Sequence, residues 1–122
     1  MPMKRITRIV TCITFTALLI GCGPQKDAER LVEQFIEQYA VEPAAIQNVS
    51  YQHIDSTKLV SDSLIGVMQQ RSHELFKDGI DYPVKSKGNK LYYIRMKFTY
   101  KGDTLRQTFY IDEALEHIVA FK

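Results

Sequence analysis

His53, His73 and His117 are the imidazoles of this 122-residue chain, and with Cys12 and Cys22 they hold most of its capacity for proton-transfer, nucleophilic or metal chemistry. Metal ligands on a helix stand at i, i+4, whereas each histidine here is at least 20 residues from the next. His73, beside Glu74, is expected on a solvated helix face, with His53 and His117 on strands. The chain has no Gly-x-Ser-x-Gly elbow. Ser61-Asp62-Ser63 reads as a helix start, and Gly102-Asp103 as a hairpin turn. Asp78 and Asp81 flank Gly79-Ile80, and Asp112-Glu113 occupy a turn; neither pair has the facing carboxylate that glycoside hydrolysis requires. The residues therefore imply no catalytic set, no metal site and no cofactor.

Binding chemistry is better represented. Tyr93, Arg95, Lys97, Arg106, Thr108 and Tyr110 fall at alternate positions of two adjacent apolar-polar runs, so they are expected to share one face of a hairpin. Basic and aromatic side chains together suit a carboxylated ligand, a glycan or a protein partner. The other reading of the same face is an antiparallel sheet with one wet side, held by cross-strand pairs.

The elements that would position these residues follow from hydrophobic spacing. Ala28, Leu31, Val32, Phe35, Ile36 and Tyr39 recur at helical intervals and predict a helix over 27–40 with Asp27 as its cap, stopped before Pro43. A strand is expected over 46–54, broken by 55–58. A second helix is expected over 61–77, with Leu64, Met68, Leu75 and Phe76 along its packed side and Gly79 as its C-cap. Residues 82–89 read as a loop, with a short strand through Val84 as the alternative. Alternation from 91 to 100 and from 104 to 111, with 117–122 closing the set, predicts a three-stranded meander. One face of it, built on Tyr92, Ile94, Met96, Phe98 and Tyr100, is apolar and needs the first helix as cover. The fold class is α+β: an N-terminal helix packed on an antiparallel sheet in the order helix, strand, helix, three strands.

Ahead of that domain stands a different kind of segment. Lys4, Arg5 and Arg8 form a basic start, and residues 9–20 form an apolar run that ends at Leu19-Ile20-Gly21-Cys22. Twelve helical residues span only about 18 Å against roughly 30 Å of hydrocarbon, so the run is too short for a lasting span and reads as a secretory signal. Leu19-Ile20-Gly21-Cys22 resembles the lipobox of bacterial lipoproteins. The resemblance implies that residues 1–21 are a signal peptide and that Cys22 carries acyl chains and becomes the first mature residue. Partnership with a membrane then follows through the lipid on Cys22, since two or more chains give stable anchoring where one is marginal.

Processing also changes the composition. Losing the three leader cations takes the formal charge from +2 to −1, so the basic precursor gives no argument for nucleic acid. With Cys12 removed and Cys22 acylated, no thiol remains for a disulfide or a nucleophile. Residues 22–26 are expected to be the lipidated cysteine and a short tether of about 15–18 Å when stretched, and 27–122 a single domain close to the membrane. Gln25 to Glu29 also loosely resembles the acidic tag that exports some lipoproteins to the cell surface in one Gram-negative phylum; a helix N-terminus is the other reading.

The order of elements over 27–122 resembles the cystatin-like or NTF2-like group of folds. That resemblance implies a curved sheet around a long helix, with a cavity between them that holds a small ligand or is filled by side chains. No functional residues carry over. The expectation is a bacterial envelope lipoprotein, the outer membrane favoured and its side undecided, with a small non-catalytic domain that binds a ligand, a glycan or an envelope protein. The alternative is an enzyme-accessory or small-molecule-processing domain, with His53 or His117 beside an acid in a cavity between helix and sheet.

Overall fold

The computed structural model describes residues 23–71, 73–82 and 90–122. Residues 1–22, with the expected leader and Leu19-Ile20-Gly21-Cys22, Ser72 and the segment 83–89, with its alternative strand through Val84, lie outside the described residues. The fold is α+β, with two helices and an open antiparallel five-stranded sheet. Among the described residues no helix is long and apolar enough to cross a membrane.

Helix α1, Gly23–Tyr39, buries Ala28, Val32, Phe35 and Ile36, the stripe its 3.6-residue period dictates. It begins earlier than its spacing suggests: residues 23–26, expected as a tether, are its first turn. Pro24 is tolerated there because a first-turn N–H has no helical partner to lose. Gln25 holds the turn in place. Its Oε1 accepts from the Ile54 N–H at 2.7 Å, and its Nε2 donates to the Gln52 carbonyl at 3.2 Å. Asp27 is consequently not a cap but an internal residue, accepting from Arg30 at 2.8 Å.

Strand β1, Ile46–Tyr51, pairs with the far half of the central strand β3, Leu91–Tyr100, across a bulge where Asn48 adopts φ 54°. Residues 55–58 do not break the edge: Asp55–Thr57 form β2, which continues along β3 opposite Leu91, Tyr92 and Tyr93. Lys101 and Gly102, at φ 50° and 91°, make a two-residue turn of the kind whose twist matches a hairpin, leading into β4, Asp103–Ile111. Strand β5, Ile118–Phe121, completes the order β1-β3-β4-β5.

Between α1 and the sheet lies the main core. Phe35, Phe76, Phe109 and Phe121 are mutually packed with ring centroids 4.6–6.3 Å apart. Each such ring, fully buried, stabilises by about 1.5–3 kcal/mol. The second helix departs most from its sequence pattern. Helix α2 is Asp62–Gln70 only, capped by Ser61 Oγ, and it packs on the opposite face of the sheet. Ile65 and Met68 are its buried residues, against Leu91, Tyr110, Val119 and Ala120; Leu64 faces outward.

After Gln70 the chain leaves the helix and delivers Leu75 and Phe76 to the α1 side. There Val41 N–H bonds the Leu75 carbonyl at 2.9 Å and Lys77 N–H the Tyr39 carbonyl at 2.8 Å. One straight helix over 61–77 would keep all its apolar residues on a single layer. These residues serve two layers, so the helix has to end. Gly79, at φ 72°, lies beyond this crossing and caps no helix.

Candidate functional site

Strands β3 and β4 place Lys97 directly opposite Arg106 and Arg95 opposite Thr108, all on the face away from α1. Ser50 pairs with Lys97, and Gln52 N–H bonds the Arg95 carbonyl at 2.9 Å, so β1 forms one wall beside the cations. The result is a concavity of about 220 Å³ lined by Ser50, Tyr51, Gln52, Arg95, Lys97 and Arg106. The ion pairs among the described residues are Lys26–Glu29, Arg30–Asp27, Lys101–Glu42 and His117–Asp112; none reaches Arg95, Lys97 or Arg106. The residues outside the description contain no aspartate or glutamate. Three exposed cations therefore stand together with no ion-pair partner among the described residues, two of them in direct cross-strand opposition, which costs stability. Their donors suit an anionic oxygen group, a carboxylate or a phosphate.

The six residues expected on this face do share it, but they are not equally available. Helix α2 covers the end of the face away from the cations: Tyr110 is only 7 % exposed and packs with Ile65, Met68 and Ala120. Tyr93 is half-buried beside it, its ring 6.1 Å from that of Tyr110 and under the Arg95 guanidinium at 5.5 Å. Thr108 is half-buried and its backbone is bonded to Lys122 on both sides, at 2.8 and 2.9 Å. The exposed part of this face is accordingly Arg95, Lys97 and Arg106 with Ser50 and Gln52, and Tyr110 is withdrawn from it. Alternation gave the side of the sheet; it carried no information on what covers that side.

A second locus lies on the α1 side of the sheet, at its β5 edge. A concavity of about 310 Å³ between α1 and the start of β5 is lined by residues that include Phe35, Tyr39, Asp81, Glu116 and His117. His117 Nδ1 is 3.1 Å from Asp112 Oδ2, and one ligand atom from each of Asp112, Glu116 and His117 falls within 4.8 Å of the others. That set could hold a divalent cation, a grouping that sequence spacing did not reveal because it treated Asp112 and His117 as members of separate elements. The visible signal was an acid at one side of a tight turn and Glu-His at the other. Asp112 is already engaged: its Oδ1 accepts from the Glu116 and His117 amides at 2.8 and 3.1 Å. These bonds organise a turn in which Leu115 adopts φ 59°.

The remaining histidines have structural partners. His53 donates from Nδ1 to the Ile54 carbonyl at 2.8 Å on the surface. His73 is not on a helix face; it turns into the core, edge-on to Phe121 with centroids 5.9 Å apart. There its Nδ1 accepts from the Leu75 amide at 3.1 Å, and its Nε2 meets the Gln107 carboxamide at 3.1 Å. Burial, then the charges of Glu33 and Glu29, pushes the Tyr51 phenol well above the usual tyrosine range, and its buried hydroxyl has no hydrogen-bond partner among the described residues. Tyr82 is pushed up to about 12, by burial and then by Tyr39. The chain matches no family model, no curated protein and no solved structure.

Proposed function

We propose that this chain is a membrane-anchored envelope lipoprotein, acylated at Cys22, whose α+β domain is a non-catalytic binding module for an anionic group. The one observation that carries the binding role is the cation trio: Lys97 faces Arg106, Arg95 stands alongside, and no carboxylate neutralises them. A protein surface with no ligand for that trio would gain stability from a single acid at any of the three positions. The anchoring role rests on the resemblance of Leu19-Ile20-Gly21-Cys22 to a lipobox, with the outer membrane favoured. A cystatin-like or NTF2-like architecture is in keeping with α1 cradled against the sheet; α2 on the opposite face is an addition to it.

The test is chemical-shift mapping of the full acylated chain in detergent micelles, titrated with a hexaglutamate peptide and with inorganic phosphate. The expected outcome is salt-sensitive shifts confined to residues 50–52, 95–97 and 106, lost in the Arg95→Ala/Lys97→Ala/Arg106→Ala variant. Shifts elsewhere, or none, reject the binding role. Intact-protein mass spectrometry tests the anchor, which requires a chain beginning at an acylated Cys22.

A second reading, an enzyme-accessory or small-molecule-processing domain, is favoured by one observation: His117 lies beside acids at a concavity between α1 and the sheet. On that reading Asp112 orients the imidazole and Nε2 is the group that moves a proton. It predicts that His117→Ala abolishes turnover of a small substrate while leaving the fold intact.

A further inference from the structure

We infer that the open face of the sheet, with the outer side of α2, lies flat against the headgroup layer of the membrane, and that phosphates of anionic lipid are the group that Arg95, Lys97 and Arg106 meet. The inference rests on the acylated reading of Cys22 and names the partner of the same cation trio.

Three observations converge on it. First, among the described residues, most of the large aliphatic side chains left in water belong to one neighbourhood. Leu59, in the lead-in to α2, is 92 % exposed, and Leu64 and Val67, three apart on the outer side of α2, are 43 % and 54 % exposed. Secondly, this apolar side and the cations flank each other. Helix α2 sits on the sheet face that carries the trio, and Tyr93 joins the two regions, packed with the α2 cluster on one side and beneath the Arg95 guanidinium on the other. Aliphatic side chains next to basic ones match the layering of a membrane interface, where acyl chain lies beneath phosphate. The acids on this side are Asp55, opposite Tyr93, and Asp62 at the start of α2. They are outnumbered by Arg95, Lys97 and Arg106.

Thirdly, the anchor leaves no slack. Gln25 is bonded to the backbone of residues 52 and 54, and Gln52 is bonded to Arg95, so the first turn of α1 is fixed to the sheet edge beside the trio. Cys22 is three residues from Gln25, which limits their separation to about 11 Å even for an extended chain. That is comparable to the screening length of about 10 Å at 0.1 M salt, so the sheet edge bonded to Gln25 would be held close to the surface to which Cys22 is attached, with Arg95 on the next strand in from that edge. Size selects the bilayer over a protein partner. Three aliphatic side chains cannot supply the roughly 1,600 Å² of a stable protein interface, but a face already tethered to lipid needs far less to set its orientation.

The experiment uses the full acylated chain in vesicles, with Leu64→Cys or Val41→Cys labelled by an environment-sensitive fluorophore. Val41 is exposed at the opposite end of α1, about 25 Å from its start. The expected result is a blue shift at position 64, with quenching by bilayer-confined nitroxides, in vesicles containing phosphatidylglycerol. The shift should be absent at position 41, absent in phosphatidylcholine alone, and reversed by high salt. It should also be lost in both the Arg95→Glu/Lys97→Glu/Arg106→Glu background and the corresponding triple-alanine background, so a folding failure in one leaves the other to read. A water-like signal at position 64 in every vesicle, with Cys22 acylated, overturns the inference and leaves the anchor standing. Disulfide formation between two copies at position 64, with the same yield in both lipids, overturns it in favour of a second copy of the chain. Labelling of the unsubstituted chain at a free Cys22 overturns the anchoring reading itself, and the inference with it.

Discussion

Lys97 and Arg106 stand directly opposite each other across β3 and β4, two like charges held in register by the two-residue turn at Lys101-Gly102. The neighbouring cross-strand partners, Arg95 and Thr108, bring a third cation rather than an acid. A pairing that disfavours the folded sheet is the feature on which the proposed binding role rests, and it can be probed from the stability side as well as the binding side.

Arg106→Glu should therefore stabilise the domain. Replacing a like-charge pair by an opposite one contributes about 0.5–1 kcal/mol at a solvent-facing cross-strand site. For a domain of this size that raises the melting temperature by about 2–6 °C, readable by calorimetry at low salt and shrinking at high salt. The same variant should bind hexaglutamate and phosphate less well. Stability gained together with binding lost is the signature of a functional pair.

Tyr51→Phe should be neutral or stabilising by up to about 1 kcal/mol, because the hydroxyl it removes is buried with no hydrogen-bond partner. Denaturant midpoints at neutral pH measure it. A loss above about 1 kcal/mol would mean that the hydroxyl has an ordered water.

Alkaline pH should unfold the protein through Tyr51 and Tyr82. Both phenols are held above the ordinary value of 10.0, chiefly by burial, with Tyr82 at about 12. A group whose folded value is raised contributes stability that is fully present below the unfolded value and is lost as pH climbs through the folded one. The fall should start near pH 10 and steepen toward 12. Urea midpoints at about pH 9 and about pH 11 should diverge in the wild type and diverge less in the Tyr51→Phe/Tyr82→Phe variant.

Asp112→Ala should cost about 1–2 kcal/mol, since its carboxylate accepts from the Glu116 and His117 amides and from the imidazole at once. Anion binding at Arg95 should be unchanged. If the loss is negligible and divalent cations raise the melting temperature of the wild type, the three side chains are a cation site rather than a turn clamp.

Leu64→Ala and Ile65→Ala separate the two sides of α2. The first, on an exposed residue, should change stability by less than about 0.5 kcal/mol, and the second, on a buried one, should cost about 2–4 kcal/mol. Equal effects would mean that α2 is rotated from the orientation described.

Much of this molecule was legible in one dimension because its signals are local. The period of Ala28, Val32, Phe35 and Ile36 is a property of neighbouring residues, and so is the alternation of Ile94, Met96 and Phe98 against Arg95 and Lys97. Each such element needs only one apolar face to be recognised. The expectation of a leader ending at Leu19-Ile20-Gly21-Cys22 rests on the same kind of local signal, and it lies outside the described residues.

What tertiary structure decided is where covering segments go, and no local pattern holds that. Tyr110 looks like a wet-face residue until α2 is laid over it, and Leu75 and Phe76 look helical until the chain rounds the sheet to reach Phe35 and Phe121. The opposition of Lys97 to Arg106 needed a hairpin register, and the meeting of Asp112, Glu116 and His117 needed a closed turn. Periodicity reports which side of an element is apolar; only the packed chain settles which apolar sides find each other, because burial is shared between segments far apart in sequence.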